Sequence, residues 1–316
     1  MGLMAKNCAL TVFKVENPAA VTAEKLKQFA FLPIDDLPGE ETAHGWVNFD
    51  DMLDLAWNSS VPEKGNFMVF GFRIDTRRVP GPVLKKEYAQ ALQEELEKAR
   101  AEGKQFVSRE RKKELKELVK AKLMTQTPPS PAVVDAALDM TTGQLLVSST
   151  SGKQLEAFAE HFKASFGQEI QELGFAGLEA KADELKASLA VESFLQEIYG
   201  HSQDVGWDGH TFTVAEAGEL TLQKESGETV ASKNEPGSIA AGLEAGLYIR
   251  KMKVTITDEN SMEWNAVIGQ DFRFRLQSPA VENAKDTDPD AVLLEKLYLI
   301  QLAVGAVHEL FRSRWG

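Results

Sequence analysis

The stretch 109-RERKKELKELVKAKL-123 places seven Lys and Arg residues among three Glu, in a 316-residue chain whose formal charge is −13. At about 100° per helical residue, Arg109, Lys112, Lys113, Lys116 and Lys120 share a stripe roughly 100° wide. Glu110, Glu114 and Glu117 form the next stripe, and Leu115, Leu118, Val119 and Leu123 are turned away. This sorting predicts an amphipathic helix from the N-cap candidate Ser108 to about Met124. Upstream, Pro82 suits the first turn of another helix running to about Glu102, with Leu84, Tyr88, Leu92, Leu96 and Ala99 on one face and Gly103 at its end. The short connection makes the two a basic helical hairpin.

The positive charge is local. From Arg73 to Met124 there are 15 basic and 9 acidic residues, a net of +6, which leaves −19 for the rest of the chain. Lysines one or two turns apart on one face can straddle successive phosphates of a duplex and release counterions there. A solvated helix laced with i,i+4 Glu–Lys pairs accounts for the same stripe equally well. The length suits about two domains with a substantial core. A lone cysteine, Cys8, excludes an intramolecular disulfide and a Cys-based zinc cage and favours a reducing compartment. The N-terminal stretch carries no recognisable address label, and 297-LYLIQLAVGAV-307 is about half a bilayer span, so a soluble cytoplasmic protein with a buried apolar helix is expected.

Along the chain, 7–15 and 66–74 read as strands and 22–31 as a helix. After the helix stop 127-TPPSP-131, 132–149 reads as strand, turn and strand, and Ser151 with Gln154 as a capping box for a helix over 152–166. Beyond a Glu/Ala-rich region at 169–199 comes a meander of strands at 247–257, 263–268 and 271–276. In it Met252, Val254 and Ile256 alternate with Lys251 and Lys253, and Phe272, Phe274 and Leu276 alternate with Arg273 and Arg275. A helix over 290–312 closes the chain. The fold class is α+β, antiparallel sheets with helices. Its parts are an N-terminal α+β part (1–80), the basic hairpin (81–130), a second strand–helix part (131–200) and a C-terminal meander with its closing helix (201–316).

Signatures of chemistry are sparse. No G-x-x-x-x-G-K-[ST] occurs, the five histidines show no H-E-x-x-H spacing, and Gly200-His201-Ser202 is not a nucleophile elbow. Asp50, Asp51 and Asp54, or Asp286, Asp288 and Asp290, could hold magnesium for phosphodiester hydrolysis, since paired metals need converging carboxylates. The second set fails as a calcium loop, with Ala291 and Leu297 where Gly and Glu are required.

The order of parts resembles the recombination-associated protein RdgC family of bacteria. The best local match is 73-RIDTRRVPGPVLKKEY-88, similar to the family's basic strand end followed by P-x-P-V and a helical Lys. SRERKKELKELVKAKL, ALDMTTGQLLV and LEAGLYIRKMKVT add to it, the last two being similar to the family's W-I-D-x-x-x-G-x-I-x-V and E-A-G-K-x-V-x-K-L segments. The chain departs from the pattern at 123-LMTQTPPSP-131, which has no aromatic where relatives carry a Leu-Pro-x-Ala-Phe-Ser-like turn.

The resemblance implies a horseshoe-shaped subunit with a protruding basic hairpin, pairing into a ring-shaped homodimer that encloses double-stranded DNA without reading sequence. It further implies a nucleoid-associated protein in the cytoplasm that modulates recombination by limiting recombinase access, with no catalysis, cofactor, metal or membrane. Arg73, Arg77, Lys85 and Lys251 match basic positions of its motifs. With Lys86, the helix residues Arg109, Lys112, Lys113, Lys116 and Lys120, and the strand residues Lys253, Arg273 and Arg275, they make the expected DNA-binding set. Two other readings are a metal-dependent nuclease using an Asp cluster, and an interaction module whose basic helix meets an acidic partner.

Overall fold

The computed structural model describes residues 2–36, 40–103, 105–173, 192–224, 229–233, 236–269, 273–281, 284 and 287–315. The chain begins with β1 (Cys8–Val15), α1 (Ala23–Gln28), β2 (Thr42–Val47), β3 (Glu63–Lys64) and β4 (Phe67–Thr76). There follow α2 (Gly81–Ala101), α3 (Arg109–Gln126), β5 (Ser130–Asp139), β6 (Gln144–Val147), α4 (Gly152–Phe166), β7 (Ile170–Glu172) and a helical turn pair over 192–198, α5. The remainder is β8 (Gln203–Trp207), β9 (His210–Gln223), β10 (Thr229–Lys233), α6 (Pro236–Glu244), β11 (Tyr248–Asp258), β12 (Glu263–Gly269), β13 (Phe274–Gln277) and α7 (Pro289–Trp315). The fold is α+β, with a large antiparallel sheet and seven helices among the described residues.

Contacts divide the chain into two compact units. One comprises Met1–Phe29, Val47–Phe72 and Val134–Gly316, the other Ala30–Trp46 and Arg73–Val133. The sequence of the second unit carries a net +2, leaving −15 for the first.

In the first unit the sheet order is β10-β9-β11-β12-β13-β1-β6-β5-β4. The meander alternates as its sequence requires: Met252, Val254, Ile256, Trp264, Ala266, Ile268, Phe274 and Leu276 are all buried. Phe272 lies outside the described residues, as does the start of the strand expected at 271. Against the buried face lies α7, whose Leu297, Ile300, Val304 and Val307 join the core, and Trp264 Nε1 donates to Leu299 O at 2.9 Å. By length and composition α7 could cross a membrane, but 67% of its apolar window is buried inside this unit, as befits a core helix.

Around α4 the core is aromatic. Phe158 stands 5.4 Å from Phe72 and 6.2–6.5 Å from Phe13, Phe70 and Phe162, ring centre to ring centre. The cap of α4 differs from the expected box: the Ser151 side chain makes no capping bond, and Ser149 Oγ instead donates to Gln154 Oε1 at 2.7 Å and accepts from Ser151 N.

The second unit contains α2, α3 and β2, with the ends of β4 and β5 that continue into it. The helix expected over 22–31 stops at Gln28, and beyond it Phe31 N donates to Trp46 O at 2.8 Å. Gly45 permits this pairing, since a Cβ there would lie 2.5 Å from Phe31 Cα. β8, β9, β10 and α6 had no counterpart in the expected elements; they extend the meander outward from β11.

Candidate nucleic-acid interface

The hairpin of the second unit follows its sequence closely. α2 turns Leu84, Tyr88, Leu92, Leu96 and Ala99 inward, Gly103 takes φ +81°, and Ser108 caps α3 by accepting from Arg111 N at 3.1 Å. Leu115 is the buried anchor of α3, with Val119 and Leu123 half-buried. Leu118, expected with them, is 58% exposed and lies beside the glutamate stripe. Arg111, outside the basic stripe, ties the hairpin together by donating to Glu95 at 2.6 Å and Glu114 at 3.2 Å. Arg109, Lys112, Lys113 and Lys116 are exposed on α3 and make no ion pair among the described residues.

The other predicted cations of this unit are engaged to different degrees. Lys120 Nζ donates to Glu41 at 2.7 Å, and Arg77 pairs with Asp35. The acidic stretch around 35–41 therefore neutralises two cations beside a cavity of about 570 Å³. Hydrogen bonding to Lys120 holds the Glu41 carboxyl below its usual range and raises Lys120. Arg73 grips Asp75 bidentately at 2.7 and 2.8 Å and lies 4.4 Å above the centre of the Phe31 ring. That geometry is a packed, buried fork. Lys85 and Lys86 are exposed on the first turns of α2, Lys86 being 3.6 Å from Glu87. α2 and α3 are antiparallel, so these two lysines and Arg109 belong to opposite ends of the hairpin.

In the first unit the sheet gathers the strand cations onto the outward face of the meander. Lys253 and Arg275 both register with Val267 of β12, and Lys251 registers with Gly269. Lys251 and Arg275 are exposed, whereas Lys253 has Glu219 at 3.9 Å and Arg273 is held by Glu172 at 3.0 Å and by Thr150 O at 3.3 Å.

Among the described residues the aspartates do not converge on a vacant centre. Asp51 Oδ1 accepts from Leu53 N, and Asp54 Oδ2 accepts from the amide and hydroxyl of Ser59. Asp50 and Asp290, from the two predicted clusters, are brought together by Lys64, whose ammonium lies 3.1 and 2.7 Å from them. Burial pulls Lys64 down, but the two carboxylates outweigh it and leave the pKa raised. A lysine ammonium thus stands between the two carboxylates, at the point a metal ion would have to occupy, so these residues do not fit a metal as arranged. Asp288 Oδ1 accepts from Asp290 N at the start of α7, and Asp286 lies outside the described residues. His210, Asp258 and Glu259 also present donor atoms within 4.8 Å of one another. They strap a hairpin end, because Glu259 accepts from His210 and Thr211 N while Asp258 accepts from Asn260 N and Met262 N.

The cations are legible from their helix and strand faces, but their partners are not. Lys120 and Glu41 stand 79 residues apart, and Arg273 and Glu172 stand 101 apart, separations that carry no periodic signal.

The described residues thus form an α+β chain with a Lys-rich hairpin and a meander whose outward face carries the strand cations. A family model described as "Putative exonuclease, RdgC" matches residues 6–275, and the chain belongs to the RdgC family. Membership supports a recombination-associated role. No curated protein matches the chain.

Proposed function

We propose that this protein binds double-stranded DNA without reading its sequence, and that it does so without cutting it. The observation that carries the reading is the row Arg109, Lys112, Lys113 and Lys116: four exposed cations on one helix, without ion pairs among the described residues, in a chain that is acidic overall. Cations aimed at phosphates fix position but carry no base information. The full reading, guided by family membership, is a cytoplasmic, nucleoid-associated homodimer that closes as a ring on the duplex and limits recombinase access.

The family's description favours one other reading, an exonuclease. Against it stands Lys64, whose ammonium occupies the point where Asp50 and Asp290 come together. The test is a gel shift on duplexes of equal length and different sequence, with and without magnesium. Affinities within a few-fold and intact DNA are expected. A preference of about a thousand-fold for one sequence would mean direct base readout, and magnesium-dependent degradation would establish the nuclease.

A further inference from the structure

A second site is built in the first unit, away from the meander's basic face. Two large aromatics there stay exposed, Trp207 by 39% and Tyr298 by 43%, and both wall a cleft of about 430 Å³. Their placement is specified. Trp207 and His210 are register partners across a two-residue turn whose Asp208 and Gly209 take φ of +51° and +78°, the Asp-Gly pattern of a tight hairpin. His210 Nε2 is 3.4 Å from the Tyr298 hydroxyl on α7. Two turns further along α7 stands Gly305, where a Cβ would collide with the Trp207 indole nitrogen, so the glycine lets the indole seat against the helix.

Leu173 and Leu302 add apolar lining, and the other walls are polar. Gln301 Nε2 donates to Asp139 at 3.1 Å and to Gln144 at 3.3 Å, and Lys14 Nζ donates to Thr142 O at 2.6 Å. Asp208 lies close enough to raise the Tyr298 hydroxyl, burial being the larger cause.

We propose that this cleft binds a single unpaired nucleobase, as the nucleotide at a DNA end or gap. The volume falls in the range of about 300–1,000 Å³ typical of small-ligand sites. Exposed indole and phenol faces offer stacking to any base. The charges select a neutral flat group: a guanidinium would meet Lys14, and an isolated phosphate would meet Asp208 and Asp139. A base avoids both conflicts, its edge meeting the Gln144 and Gln301 amides while its own phosphate lies toward Lys14. The proposal rests on the reading of DNA as ligand but involves none of the α3 cations.

Equilibrium dialysis of the full chain with labelled deoxyadenosine monophosphate tests it. Saturable binding is expected, weakened about tenfold or more by Trp207→Leu and by Tyr298→Ala, and unchanged when Arg109, Lys112, Lys113 and Lys116 become Ala. Gly305→Ala, which displaces the indole without removing it, is expected to weaken binding as well, with circular dichroism confirming the fold of each variant. No saturable binding in the millimolar range overturns the proposal. So does equal binding of deoxyribose 5-phosphate, which would make this a phosphate site, or displacement of the nucleotide by N-acetylarginine amide at lower concentration, which would make it a cation site. Mononucleotide binding by a chain that fails to shift duplexes would sustain this site and remove the proposed function.

Discussion

Lys120 Nζ lies 2.7 Å from Glu41 Oε1, an ion pair within the second unit that removes one member of the basic stripe from service. Both side chains are roughly half-exposed, so the pair is a weak one that competes with phosphate. Glu41→Gln is expected to release Lys120, tighten duplex binding and steepen the dependence of log K on log salt by about 0.9. A fluorescence titration at four salt concentrations reads the slope. An unchanged slope would mean that Lys120 does not face the duplex.

His308 is half-buried on α7, with its ring Nε2 out of reach of solvent, and desolvation pulls its pKa from 6.5 down to about 4. The unfolded chain therefore takes up a proton between these values that the folded chain refuses, and stability falls as the pH drops from 6.5 toward 4. The loss approaches about 3 kcal/mol at 1.36 kcal/mol per pKa unit. Urea unfolding across this window should show it, and His308→Leu should flatten the profile, whatever its effect on stability at neutral pH.

Lys64→Met tests the bridge between the two Asp clusters. The lysine side chain is 5% exposed while its carboxylates are 41% and 47% exposed, so both can hydrate once it is gone. The expected cost is about 1–3 kcal/mol, below the 3–5 kcal/mol of breaking a fully buried pair. Chemical denaturation measures it. A cost near zero would show that the lysine holds the two segments together only incidentally.

Much of the second unit was legible in its sequence because its logic is local. Ser108, Gly103 and the apolar spacing of Leu84 to Ala99 act within one or two turns, and the helices end within about two residues of where these signals place them. The meander was equally readable, since Met252, Val254 and Ile256 alternate without interruption. β9 was not: 211-TFTV-214 and 220-LTL-222 alternate, but Glu216 to Gly218 interrupts them, with Gly218 at φ +80° and register shifts against β11. The site was half-legible. The cations could be named from their face of the helix, whereas their neutralisation by Asp35, Glu41, Asp75 and Glu172 depends on where the fold places the acids. Only Asp75, two residues from Arg73 on one strand face, lay within reach of a period-2 argument.

The account rests on four cations touching phosphate. Replacing Arg109, Lys112, Lys113 and Lys116 together by Ala leaves Leu115, Val119 and Leu123 in place and substitutes a better helix former, so the hairpin should persist. The decisive measurement is the slope of log K against log salt for duplex DNA, wild type beside this variant. The account predicts a fall of about 3.6, at about 0.9 per lost contact, with helical content unchanged. An unchanged slope with normal helicity would contradict it, and would leave the row as a solvated helix face.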